Sequence, residues 1–517
     1  MQYGTLARVA LASAIFKLLL DIIQEICKLA SRFIQAGPTP QTAWDFEREL
    51  AQLLREAGRR VLEHVYNRIE PELPQNAPHY LESEAGRYRR LSAKTANPHV
   101  ATLFGKIKLC RLGYRFVHRE AGERTLFPLE MALGLIKNAT PALAEVAARS
   151  MALAGATQGT VLARLWEEHG VRWGVETLRA VTAELEARMS PLRRAAQVEQ
   201  VRQWLDWAWK SPGTQHPTLS VGRDGITLAT RPHGFFEVAT VSTVTVYDRQ
   251  GQRVGSVYLG FVPEAGQQTM TDELTALLLA ILEAWPGRLP RLVYLTDAGE
   301  QECSYFCRVL RRLRHPRTGK RLAWTRILDY YHASRRLTEM AEALFGSHSR
   351  EAASWARRMR KLLKQRNGVF RVLHSAAAIG ARRSMTSCQR KQYQRAYNYL
   401  RRRSRYLRYH EYRQAQLPIG SGVTEAAAKT LFTQRLKLSG MRWSKAGAQV
   451  ILNLRAIFLS GVWSPLHRAM LRSMSNRAAA TPVVSHLSAM RKAASTRAPA
   501  GLHPDRMSPR QLQQLCC

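Results

Sequence analysis

Four acids in this sequence stand where chemistry could use them. Asp224 lies in "GRDG", Asp297 in "YLTDAG" and Asp329 in "ILDYYH", each closing a strand-like stretch. Glu425 follows a Gly-Ser-Gly turn in "IGSGVTEAAAK". In an open sheet the carboxyl ends of strands are where sites form, and a glycine after the acid lets backbone and substrate approach closely. Carboxylates gathered on one sheet edge repel one another unless a cation joins them. Mg²⁺ prefers oxygen ligands and keeps waters for a substrate phosphate. Two such ions about 3.5–4 Å apart can activate an attacking oxygen and stabilise the leaving one. Asp224, Asp297 and Glu425 are the residue types for that task. Simpler readings stand beside it: "DG" is a common turn, Asp297 can cap the helix that follows, and Glu425 can complement a helix dipole. His332, three residues after Asp329, is a structural histidine unless it belongs to the acidic site. Nucleophile and nucleotide motifs are lacking: Ser421 sits between glycines without G-x-S-x-G, and no P-loop pattern is present.

The elements that must position these acids follow from pattern. After a Pro/Gly/Ser-containing break at "KSPGTQHPTL" come "TLSVGRDG", "FFEVATVSTVTVYD" and "QRVGSVYLGFV", the last two joined by a "DRQGQ" turn. A helix near 270–285, the strand "RLVYLTDAG", a helix from about 300 and the strand "AWTRILDYY" complete the order. Three strands, a helix, a strand, a helix and a strand predict an α/β fold of the RNase H-like kind, because a generic doubly wound fold would start with a parallel crossover. Residues 336–416 lose strand signal and become helical and basic, predicting a helical insertion. Within it, positions 391–415 hold eight Lys/Arg against one acid, interleaved with Tyr393, Tyr397, Tyr399, Tyr406, Tyr409 and Tyr412. That block is read as tracking DNA, or else as a solvated basic face.

Upstream, residues 1–98 read as a helical region, with an amphipathic helix over the opening stretch for a core or a partner. Residues 99–130 read as a β-hairpin turning at "REAGER", and 131–210 as a helical block. Inside that block a break at Gly170 separates two helices in helix-turn-helix outline, the second presenting Glu176, Thr177 and Arg179. The core resumes over 211–335 and 417–470, and 471–517 reads as a disordered basic tail.

The 517 residues carry 78 Lys/Arg against 39 Asp/Glu, a formal charge of +39. Such an excess makes a polyanion the default partner, since neutralising phosphates releases counterions. Charged residues interrupt the apolar opening stretch, which argues against a membrane span, and no signal-peptide cleavage site is evident. Seven scattered cysteines with no CxxC pair fit a reducing cytoplasm.

With these residues assembled, the chain resembles bacterial insertion-sequence transposases of the ISKra type, in the DDE/RNase H-like group. The resemblance is most specific at "IGSGVTEAAAKTLFTQRLKLSGMRWSKAGAQVILNLRAI", with "LTDAG" and "ILDYYHA" in order and "GRDG" more loosely, and it covers about 100–465. It implies Asp224, Asp297 and Glu425 as a metal-binding catalytic triad for Mg²⁺ or Mn²⁺, with Asp329 and His332 as an accompanying D-x-x-H signature. If another acid replaces Asp224, Glu237 and Asp248 are next. Relatives carry a zinc ribbon near the 99–130 hairpin, where this chain has Cys110 alone. The implied activity is DNA cleavage and strand transfer at terminal inverted repeats, by a homodimer or higher oligomer in the bacterial cytoplasm at the nucleoid. Lys429, Arg435, Lys437, Arg442 and Trp443 would position phosphates or wedge at a base, with core packing the alternative for Trp443. An inactive DNA-binding repressor and an RNase H-fold nuclease without strand joining are the rival readings.

Overall fold

The computed structural model describes residues 2–83, 86–117, 125–232 and 236–480. The predicted "REAGER" turn and the tail beyond 480 lie outside these residues. The chain divides into two compact units. One holds Met1–Val146, Leu162–Val181 and the segment from Leu471; the other holds Ala147–Val161 and Thr182–Met470.

In the first unit, α1 (Gln2–Ala36) and α2 (Pro40–Asn67) form an antiparallel hairpin. Gly37 ends α1 at φ +76°. Thr39 and Thr42 form a capping box over the start of α2, with Pro40 in its first turn. The sheltered side of α1 is Ile15, Leu19, Ile22, Ile26, Leu29 and Phe33, and Phe33 stacks on Phe46 at 4.9 Å. The strands β1 (Tyr80–Ser83), β2 (Gly86–Thr102) and β3 (Gly105–Phe116) make an antiparallel sheet in that order.

One expectation is corrected here. Strand structure begins at Tyr80, within the region read as helical. The reason is that β2 is exposed on both faces over most of its length, so its polar residues give no period-2 signal. Strands β2 and β3 are joined by a tight turn at Leu103–Phe104, where Gly105 takes φ +113° and the Thr102 hydroxyl accepts from Phe104 N. Tyr114 of β3 pairs antiparallel with Leu126 beyond the "REAGER" stretch. Helices α3 (Pro128–Ala132), α4 (Pro141–Ala152), α5 (Gln158–His169) and α6 (Val175–Lys210) follow. The break at Gly170 is present, at φ +65°.

In the second unit, β4 (Thr218–Ala229), β5 (Phe236–Tyr247), β6 (Arg253–Phe261), β7 (Arg291–Thr296) and β8 (Trp324–Leu328) form a mixed sheet ordered β6-β5-β4-β7-β8. The β4–β5 and β5–β6 pairs are antiparallel, and β4–β7 and β7–β8 are parallel. Asp248 closes the "DRQGQ" turn by accepting from Gln250 N and Gln252 N. Alternation along β7 sorts the core: Leu292 and Tyr294 pack on one face with α7 (Gln268–Ala284) and α8 (Glu300–Arg308), and Val293 and Leu295 on the other.

The second face is covered by the helices after β8: α9 (Tyr330–Phe345), α10 (Arg350–Leu363), α11 (Gly368–Arg382), α12 (Ser387–Arg403) and α13 (Tyr409–Gln414). One apolar cluster runs from Val293 and Ile327 through these helices. The six interleaved tyrosines belong to that cluster or pack against it, and Tyr409 is fully buried. They are core side chains, which corrects the reading of them as a DNA-tracking stripe. The exposed part of the block is its arginines, among them Arg395, Arg401, Arg402 and Arg405.

Then come α14 (Gly422–Ala428), a π-helical turn (Lys429–Thr433), α15 (Gln434–Leu436), α16 (Lys445–Leu459) and α17 (Trp463–Ala480). The last helix runs into the segment read as a disordered tail from 471. Among the described residues no single helix is long and apolar enough to cross a membrane.

Candidate active site

The parallel registers bring three of the acids level. Strand β4 pairs with β7 as far as Val221–Tyr294, and β7 with β8 as far as Thr296–Leu328. Continued along the chain, the same registers set Asp224 beside Asp297 and Asp297 beside Asp329. Asp329 N donates to Thr296 O at 2.9 Å, which extends the second register by one residue. Asp224 does not close its strand as the sequence suggests. Strand β4 runs on beside β5 to Ala229, and Asp224 lies just past the point where β7 leaves it.

Glu425 reaches this edge because Gly222 has no side chain. A Cβ on Gly222 would lie 1.9 Å from the Thr424 hydroxyl oxygen and 2.9 Å from that of Thr243. Those two hydroxyls hydrogen-bond at 2.8 Å, pinning α14 across β4 and β5. Gly222 and Asp224 point to the same face of β4, so the helix that crosses at Gly222 carries Glu425 toward Asp224.

Asp329 organises the other side. It is fully buried and accepts four hydrogen bonds: from Tyr331 N at 3.3 Å, His332 N at 3.1 Å, His332 Nδ1 at 2.8 Å and Ser421 N at 3.0 Å. A carboxylate offers about four lone-pair sites, so Asp329 is saturated. Burial alone would raise its pKa, but the bonds from His332 and Ser421 hold it below the usual carboxylate value. Ser421 in turn donates from its hydroxyl to Glu425 Oε1 at 3.0 Å. Asp329 therefore caps α9 and fixes the Gly-Ser-Gly turn, and the turn aims Glu425. A ligand atom each from Asp329, His332 and Glu425 falls within 4.8 Å of the others. Asp329 would have to give up a hydrogen bond to use its own.

The electrostatics join the remaining acids. Burial pushes the Asp224 carboxyl up to about 6, and the negative charge of Asp297, and more weakly of Glu425, adds to the rise. The Gly225 N–H and His332 oppose it. His332 is raised in turn, first by its hydrogen bond to Asp329, then by the charges of Asp329, Asp297 and Glu425. These are carboxylates that feel one another, with one histidine as partial counter-charge. Oxygen donors under mutual repulsion are the kind that suit a hard divalent cation, though among the described residues the group whose ligand atoms converge within 4.8 Å is Asp329, His332 and Glu425, with Asp224 and Asp297 outside it. The fallback acids are engaged elsewhere: Glu237 accepts from Thr230 and pairs with Lys445, and Asp248 holds its turn.

A fifth acid was missed by sequence reasoning. Glu302, in the first turn of α8, is 6% exposed. Its Oε2 lies 2.2 Å from where a Gly299 Cβ would be, and Asp297 Oδ1 is 3.5 Å from the same point. Burial raises its pKa, and Asp297 and Asp224 contribute. The available signal was glycine before a helix whose first turn holds two acids, in "AGEQE". Arg223, preceding Asp224, is buried on the opposite face, where it donates to Gln267 Oε1 at 2.8 Å and Thr271 Oγ1 at 3.1 Å.

The residues assigned to DNA divide sharply. Lys429, Lys437 and Arg442 are exposed, as is Arg179, which pairs with Glu176 at 2.7 Å. Arg435 is fully buried, donates from Nε to Met151 O at 2.9 Å and lies 5.1 Å over the Trp443 ring. Trp443 is half-buried and donates to Leu436 O at 3.1 Å. Arg435 is thus corrected from a phosphate contact to a core cation, and Trp443 takes the packing role. Comparison with protein-family models and with curated proteins gives no match.

Proposed function

We propose that this protein is a DDE-type transposase with an RNase H-like core, acting on the DNA ends of a bacterial insertion sequence. One observation carries the reading: the β4–β7 register sets Asp224 level with Asp297 and the gap at Gly222 lets α14 bring Glu425 toward them, so that Asp224, pushed to about 6 mainly by burial, also feels the charges of both. The strand order supports it, with three antiparallel strands followed by two parallel ones on the far side of the first.

In the proposed reaction a water oxygen attacks the terminal phosphorus, and the 3′-oxygen of the element end leaves. That 3′-hydroxyl then attacks a target phosphorus, releasing a target 3′-hydroxyl. Asp224, Asp297 and Glu425 would hold Mg²⁺ or Mn²⁺, which supplies charge neutralisation at the phosphate and activation of the attacking oxygen. Ser421 holds Glu425 in its orientation, and Asp329 holds Ser421. His332 offsets part of the negative charge between turnovers. Exposed Lys429, Lys437 and Arg442 meet the DNA backbone, which carries affinity without sequence.

The test is strand transfer. Purified protein, Mg²⁺ and labelled DNA bearing the element's ends should give cleaved ends and then joined target product. Cleavage without joining would replace the reading by a nuclease. Binding without either would replace it by a repressor.

A further inference from the structure

We propose that α1 carries a second, outward-facing coiled-coil seam through which two copies of this chain dimerise. The first seam, sheltered beside α2, repeats at intervals of four and three residues from Ile15 to Phe33. One residue further on, the same intervals select Phe16, Leu20, Ile23, Cys27, Ala30 and Ile34. Most of this second series faces water: Phe16 is 57% exposed, Leu20 42%, Ile23 39% and Ile34 77%, and Cys27 is exposed as well, with Ala30 half-buried between them. Scattered surface apolar residues need no explanation, but a sustained heptad stripe does. The hairpin as it stands is poorly buried. Ile22 and Leu29 are the buried hydrophobics of α1 among its described side chains, and α2 has none.

Charge selects the occupant. Residues 1–67 hold eight Lys/Arg against seven Asp/Glu, a net +1 in a chain of +39. The hairpin is the near-neutral part of a strongly basic protein, so a nucleic acid has no electrostatic reason to bind there. A second copy of the hairpin meets little local repulsion, and salt screens the charge carried by the rest of each chain. Its seam is apolar and therefore self-complementary, as a two-fold interface requires. The size agrees with a modest dimer. From Phe16 to Ile34 the seam runs roughly 27 Å, and half the girth of a helix over that length is roughly 450 Å². Two copies would bury roughly 900 Å², below the roughly 1,000 Å² that a stable specific interface clears, so the dimer is a weak, concentration-dependent one. The inference needs neither DNA nor metal, so it stands or falls apart from the transposase reading.

The test is light scattering with size exclusion on the full chain, free of DNA, at high salt and tens of micromolar. Wild type should give twice the 58.5 kDa monomer mass. The variant Ile23→Glu with Ile34→Glu should give the monomer mass with unchanged helical circular dichroism, since both side chains point away from α2. If that variant misfolds, Ile34→Ser replaces it, at a residue that touches little in the monomer. A monomeric wild type would overturn the proposal. So would a dimer that survives the folded variant.

Discussion

A carboxyl raised to about 6 by burial and by neighbouring acids is one whose ionisation works against the fold. Asp224 in the folded protein keeps its proton where the unfolded chain, near the usual 3.8, has lost it. The folded state then binds more protons between about pH 4 and 6, so stability falls as pH rises through that window. Asp224→Asn should therefore melt higher than wild type in chelator at pH 7.5, with the gap closing by pH 4. Mg²⁺ should raise the wild-type melting temperature at pH 7.5 and leave the variant nearly unmoved. A gap independent of pH would contradict this electrostatic account. Asp329 behaves oppositely, because all four of its acceptor sites are used. Asp329→Ala should cost roughly 3 kcal/mol in denaturant unfolding, leaving three backbone donors without their partner, and Asp329→Asn should cost less. Arg435 and Lys437 stand two residues apart and should respond in contrary ways. Arg435→Ala should lose roughly 2–3 kcal/mol of stability, whereas Lys437→Gln should weaken DNA binding with the melting temperature intact.

At the scale of elements, the crossing of α14 over β4 depends on Gly222. Gly222→Ala would drive a methyl into Thr424, so α14 must shift. The expected cost is roughly 1–3 kcal/mol, with catalysis lost well before folding, read as cleavage rate against melting temperature. Nothing in "VGRDG" marks Gly222 as a contact point, and the space it leaves is visible once the helix lies across it. The strands β4 to β8 were legible because buried β-branched runs end in turn residues. Strand β2 was not, because an exposed strand with polar residues on both faces carries no alternation. The tyrosines of α12 and α13 misled for a related reason. Arginine and tyrosine interleaved at helical spacing can mean a nucleic-acid face or an amphipathic core helix, and composition does not separate them. Asp297 and Glu425 were found from their neighbours, but the saturation of Asp329 is completed by a contact across 92 residues, and the approach of Glu302 depends on the fold of a helix's first turn.

For the whole molecule, the excess of 39 positive charges is unevenly placed, with the N-terminal hairpin nearly neutral. Affinity for DNA should fall steeply with salt, and replacing Lys429, Lys437 and Arg442 together with Gln should reduce the log–log slope by about 2–3. An unchanged slope would place the DNA elsewhere on the protein. Charge was legible in the sequence at once; which arginines face water was not, as Arg435 and Arg455 show by being buried. The central claim is that Asp224, Asp297 and Glu425 act together on a phosphodiester. Its most direct test is the rate of Mg²⁺-dependent cleavage at an element end by wild type and by Glu425→Gln, with folding and DNA binding matched. The account predicts a fall of at least about a hundredfold, on the scale of losing one charge-stabilising group in an active site. Equal rates in the two proteins would contradict it.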